Sequence, residues 1–131
     1  MKQQLIEKVR EFREAFGFSQ PEEAIHYKLT LEETDELIDA FIEPEPLMRL
    51  IEVADALADR VFTSCGGIID GCDMHHYLEK TITWAERFNI DLPRAVDAVF
   101  VSNMSKLCSK SEIKPTADKY AAIGVDVRFE P

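Results

Sequence analysis

The sequence predicts an all-α fold, a bundle of four to five helices carried by one domain over residues 1–131. Two observations lead to it. Apolar residues recur at helical spacing through one segment after another, and Gly or Pro punctuates the joins between segments. Two-residue alternation appears only near the end, at Val125-Asp126-Val127-Arg128-Phe129.

Residues 2–16 place Leu5, Ile6, Val9, Phe12, Ala15 and Phe16 at helical spacing, and Gly17 supplies a stop. Pro21 opens a short helical turn over 21–28. Thr30 reads as an N-cap, with Glu33 completing a capping box, so a separate helix is expected to run to about Ile42. Its core face would hold Leu31, Leu37, Ile38 and Phe41. Pro44 and Pro46 break it. The next helix, about 46–64, carries Leu47, Leu50, Ile51, Ala54, Leu57, Ala58 and Val61 as one amphipathic stripe. Gly66-Gly67 ends it, or Ile68-Ile69 prolongs it to Gly71. A further helix covers about 73–88, with Trp84, Ile82 and Phe88 read as core or as a subunit interface. Asp91-Leu92-Pro93 then caps and opens a helix to about Leu107. A short helix over about 116–123, stopped by Gly124, and the alternating strand form a C-terminal appendage to a core of about 5–107.

Composition limits the function. The formal net charge is -10, from 25 acidic and 15 basic residues. Such a charge repels the phosphates of nucleic acids and anionic lipids, so neither is an expected partner. No run approaches the ~18 apolar residues that span a bilayer, and Met1–Lys8 has no signal-like apolar region. The expected location is the cytoplasm, and the 3 cysteines are expected to be free thiols.

The chemistry-bearing pattern is acidic. Glu33 and Glu36 are three apart on one predicted helix, and Glu52 and Asp55 are three apart on the next. At about 100° per residue, each pair shares a helix face. Asp59, seven beyond Glu52, returns to nearly that face. Antiparallel packing of the two helices would gather these carboxylates at one edge of the bundle. Crowded like charges call for a neutralising cation, and Mg²⁺ prefers such hard oxygen ligands, with Mn²⁺ as a substitute. The plainer reading is a solvated acidic face.

The strings Leu31-Glu32-Glu33-Thr34-Asp35-Glu36-Leu37 and Glu52-Val53-Ala54-Asp55-Ala56-Leu57-Ala58-Asp59 give ExxE, a gap, then ExxD. With Val9–Gly17 and Ser102-Asn103-Met104-Ser105-Lys106, the chain resembles the MazG-like all-α nucleoside triphosphate pyrophosphohydrolases over about residues 5–107. That superfamily includes MazG, dimeric dUTPases and phosphoribosyl-ATP pyrophosphohydrolase. The resemblance implies hydrolysis of an NTP to its monophosphate and pyrophosphate. By position it makes Glu33, Glu36, Glu52 and Asp55 ligands of Mg²⁺, with Asp59 an additional one. Glu32 would be the base that orients or deprotonates water, and Asn103 and Lys106 would contact phosphate. It also implies a homodimer or homotetramer. Two departures stand against it. Relatives often carry histidine where Arg13 and Phe100 stand, and they end in a Gly/Lys-rich stretch with a tyrosine, in place of this chain's Lys110, Lys114, Lys119 and Tyr120.

Two other readings come from different classes. Cys65, Cys72, His75 and His76 are zinc-compatible residue types within a short span, yet their spacing matches no familiar zinc pattern and no CxxC is present. The other is a catalytically degenerate helical module that binds nucleotide or serves assembly without turnover.

Overall fold

A computed structural model describes residues 1–16 and 23–104. The appendage expected beyond Leu107, with its short helix and strand, lies outside the described residues. Among those described, the chain is all-α, with five helices in the order α1 (Lys2–Phe16), α2 (Glu23–Phe41), α3 (Pro46–Ile69), α4 (His75–Arg87) and α5 (Leu92–Met104).

The architecture follows from α3, which touches each of the other four helices and packs most extensively on α2. Its central position explains a sequence apolar on nearly every side: Val53, Ala56, Leu57, Ala58, Val61 and Cys65 are all buried. Around it α1 contributes Leu5, Ile6 and Val9, α4 contributes Leu78 and Ala85, and α5 contributes Leu92 and Val96. Phe12 meets Phe62 edge-on at 5.3 Å. Phe41 closes one end of the core against Trp84 and Phe88, with centroids 5.7 and 5.5 Å away. Burial on all sides also acts on Cys65, whose thiol is pushed up to about 12 by desolvation.

Local signals set several boundaries. Glu45, in extended backbone, caps α3 by accepting from Met48 N at 2.6 Å, with Pro46 in the first turn. Asp91 Oδ1 accepts from Arg94 N at 3.3 Å at the start of α5, as the cap reading expects. The α4 chain reverses through Asn89 at φ 55, a left-handed position that asparagine tolerates.

Two expectations are corrected, and one alternative is decided. Thr30 does not cap a helix: α2 is continuous from Glu23 and Thr30 is fully buried inside it. His26, Thr30, Leu37 and Ala40 are all buried along one face, and that burial holds the helix straight through the apparent start signal. Of the two ends offered for α3, the longer holds: the helix runs through Gly66-Gly67 to Ile69 and turns at Gly71, φ +90. Both glycines serve close approach. A Cβ on Gly66 would stand 3.1 Å from Arg13 Nη1, and one on Gly67 would overlap the Met74 side chain. Finally, Leu31, Ile38, Leu47, Leu50 and Ile51 do not face the core but are exposed. The cause on α3 is length. Its 24 residues extend about 36 Å, against about 20–23 Å for α1, α4 and α5, so its first turns outrun their cover.

Candidate metal centre

The α2–α3 hairpin brings the acidic residues together. Carboxylate oxygens of Glu33 and Glu36 from α2 and Asp59 from α3 lie within 4.8 Å of one another. Beside them runs a groove of about 370 Å³ lined by Glu36, Asp39, Ala40, Glu52, Asp55, Ala56 and Asp59. The two alanines lie at its floor, buried where the helices approach, so the groove walls are carboxylates.

Helix geometry accounts for the arrangement. Glu33, Leu37 and Ala40 lie on the face of α2 that meets α3, and Glu36 and Asp39 lie at its margin. On α3, Glu52, Asp55 and Asp59 occupy the corresponding margin. The antiparallel register sets Asp59, not Glu52 or Asp55, opposite the Glu33–Glu36 turn.

The electrostatics are those of crowded carboxyls. The Glu33 carboxyl is pushed from 4.5 up to about 8, first by burial, then by its hydrogen bond to Glu36, and then by the charges of Asp59, Glu36 and Glu32. At neutral pH without a cation, Glu33 therefore holds its proton and donates to Glu36. Its Oε2 is buried with no hydrogen-bond partner. A buried carboxylate oxygen left unpaired is costly, and a divalent cation would satisfy it. Three hard-oxygen donors converging from two helices suit Mg²⁺, which retains open positions for water or phosphate.

The expected residues fall into four groups. Glu33, Glu36 and Asp59 converge. Glu52 and Asp55 line the groove without joining the cluster. Glu32 is exposed next to Glu33 and acts on it through charge. Asn103 lies in the last turn of α5; its side chain, and the whole of Lys106, lie outside the described residues, as do Lys110, Lys114, Lys119 and Tyr120. Asp39 is an addition that the sequence reading missed, although its spacing of three from Glu36 was a usable signal.

A second charged group was also missed. Asp70, at the end of α3, accepts from Arg13 Nη2 of α1 at 2.5 Å and pairs with His26 Nε2 of α2 at 2.8 Å, both on Oδ2. His26 is fully enclosed and Arg13 and Asp70 nearly so. The group ties three helices together at the end of the bundle where α3 terminates, and Gly66 gives Arg13 the room to reach it. Phe100 is buried, with Lys8 Nζ 4.6 Å from its ring centroid. Among the described residues, Cys65 and Cys72 form no disulfide, and His75 and His76 are exposed on the first turn of α4. No helix among them is long and apolar enough to cross a membrane.

No family model matches the chain, and no curated protein or solved structure is significantly similar to it.

Proposed function

We propose that the protein is a Mg²⁺-dependent nucleoside triphosphate pyrophosphohydrolase, acting between the α- and β-phosphates. The observation that carries the reading is the convergence of Glu33, Glu36 and Asp59 within 4.8 Å, with a buried Glu33 oxygen lacking a partner. The ExxE string supplies Glu33 and Glu36, and Glu52 and Asp55 of the ExxD string, which the MazG-like resemblance also makes ligands, line the groove beside them.

In this reading Glu33, Glu36 and Asp59 hold the ion, and Glu52, Asp55 and Asp39 line the groove beside it. The ion would supply a Lewis acid that offsets charge on the phosphates. A strongly acidic groove repels a polyanionic nucleotide on its own, so productive binding requires the cation. Glu32, exposed at the cluster's edge, orients or deprotonates the attacking water. Asn103 and Lys106 contact phosphate. The nucleobase is set by pocket contacts that no motif reports.

The test is pyrophosphate release from a panel of NTPs and dNTPs with Mg²⁺, Mn²⁺ or chelator. Metal-dependent release from one or a few nucleotides is expected. Glu36→Gln and Asp59→Asn should remove it while leaving the far-ultraviolet circular dichroism unchanged. Folded wild-type protein that binds Mg²⁺ but releases nothing would overturn the enzymatic reading in favour of a non-catalytic module. Absence of Mg²⁺ binding would overturn the metal centre itself.

A further inference from the structure

A hydroxyl inside a helix commonly donates back to a carbonyl one turn earlier. Thr34, Ser64, Thr81 and Thr83 do so here, at 2.8, 2.6, 2.7 and 3.0 Å. Thr30 does not. It is 0% exposed, and its Oγ1 has no hydrogen-bond partner. With His26, Leu37 and Ala40 it belongs to the buried face of α2. Valine would fill that place with the same shape and no polar atom, so a sealed, unpaired hydroxyl there is destabilising.

Three residues further along α2, Oε2 of Glu33 is also buried without a partner. Residues three apart on a helix lie about 60° apart around it and about 4.5 Å apart along it. Helical side chains lean toward the N-terminus, so Glu33 leans over the turn that carries Thr30. A donor and an acceptor, both sealed from water, are thus neighbours on one face.

We propose that Thr30 is a positioning residue of the metal centre, its hydroxyl donating to the Glu33 carboxylate when that group ligates a cation. A ligating carboxylate keeps acceptor sites beyond those the cation takes, and a hydrogen bond to it fixes its orientation. Glu36 stands one turn on the other side of Glu33, and Asp59 comes from α3, so Thr30 restrains the carboxylate from the side those two ligands leave open. The contact gives both orphaned atoms a partner. This role rests on the metal-centre reading of Glu33, Glu36 and Asp59.

Calorimetric titration of Mg²⁺ into the whole chain, at one pH and without nucleotide, tests the proposal together with urea unfolding in chelator. Thr30→Val keeps the shape and removes the hydroxyl, whereas Thr30→Ser keeps the hydroxyl and removes the methyl group. Thr30→Val should bind Mg²⁺ about 10–100-fold more weakly than wild type. In chelator it should nevertheless unfold at a higher urea concentration, because it no longer buries an unpaired hydroxyl. Thr30→Ser should bind about as tightly as wild type and unfold at a lower urea concentration, having lost a buried methyl group. The two rankings therefore cross, whereas a residue that merely packs would rank the variants alike in both measurements. Wild-type affinity in Thr30→Val, equal weakening in both variants, or a lowered urea midpoint for Thr30→Val would each overturn the role while leaving the metal centre standing. A wild type that binds no Mg²⁺ would overturn the metal centre and this role together.

Discussion

Replacing Glu33 by glutamine tests the cluster without chemistry. Glutamine has nearly the shape of a protonated glutamate but cannot ionise, so it fixes the site in its low-pH form. A carboxyl held at about 8 instead of 4.5 resists ionisation by at most about 5 kcal/mol, and the water reaching this half-buried group reduces that to about 1–2 kcal/mol. The sign follows from linkage. Since folding raises the Glu33 value, its contribution is fully present below pH 4.5, declines as pH rises, and is gone above about 8. Metal-free wild type should therefore lose about 1–2 kcal/mol from this group between pH 5 and 9. Glu33→Gln should match the wild type at pH 5 and exceed it by that amount at pH 9. Urea unfolding in chelator at pH 5, 7 and 9 measures both, and the difference between the two proteins cancels the other titrating groups. Mg²⁺ should reverse the order at pH 9, stabilising the wild type more than the variant. A variant no more stable than wild type at pH 9 would refute the claim that burial and neighbouring carboxyls raise Glu33.

Mg²⁺ binding near pH 7 should release protons, up to about one per ion, because the ion displaces the proton that Glu33 holds; calorimetry in buffers of different ionisation enthalpy reads the number, and release near zero would contradict it. Asp70→Asn removes the carboxylate that Arg13 and His26 share, and should cost about 2–3 kcal/mol in thermal or urea unfolding. A loss under about 1 kcal/mol would mean that the three-helix tie is incidental. Gly67→Ala forces a methyl group into the Met74 side chain, and should lower the urea midpoint by an amount equivalent to about 1–3 kcal/mol; an unchanged midpoint would show that Met74 moves aside freely.

Elements whose boundaries rest on neighbouring residues were legible in the sequence. The stripe of α1, the proline that opens α3 and the Asp91 cap of α5 act within a turn or two. Leu37, Leu57, Ala58 and Val61 meet the core as their spacing predicts, but local pattern did not tell where that core ends or what lies against each helix. Thr30 and Glu33 imitate a capping box, but the burial of His26 and Thr30 outweighs that local signal. Gly66 and Gly67 look like a stop until Arg13 and Met74 are placed beside them. Leu47, Leu50 and Ile51 match a core stripe because periodicity reveals a helix's apolar side without revealing how far its neighbours extend. The candidate site shows the same division. Spacing put Glu33 with Glu36, and Glu52 with Asp55, on shared faces. The helix register that brings Asp59 to Glu33 is a property of packing, as is the Arg13–Asp70–His26 group, whose members stand 57 and 44 residues apart.

The burial of Cys65 gives the bundle an internal clock. Its thiol is enclosed by the central helix's neighbours and holds its proton to about pH 12, so an alkylating reagent reaches a reactive sulfur there only when the helices part. Trapping of Cys65 after brief exposure to reagent thus counts how often the core opens, while Cys72, partly accessible on the turn after α3, reacts without waiting. The ratio of the two rates, read by mass spectrometry of their peptides, follows the opening of the molecule under native conditions, with or without metal, and with no denaturant added.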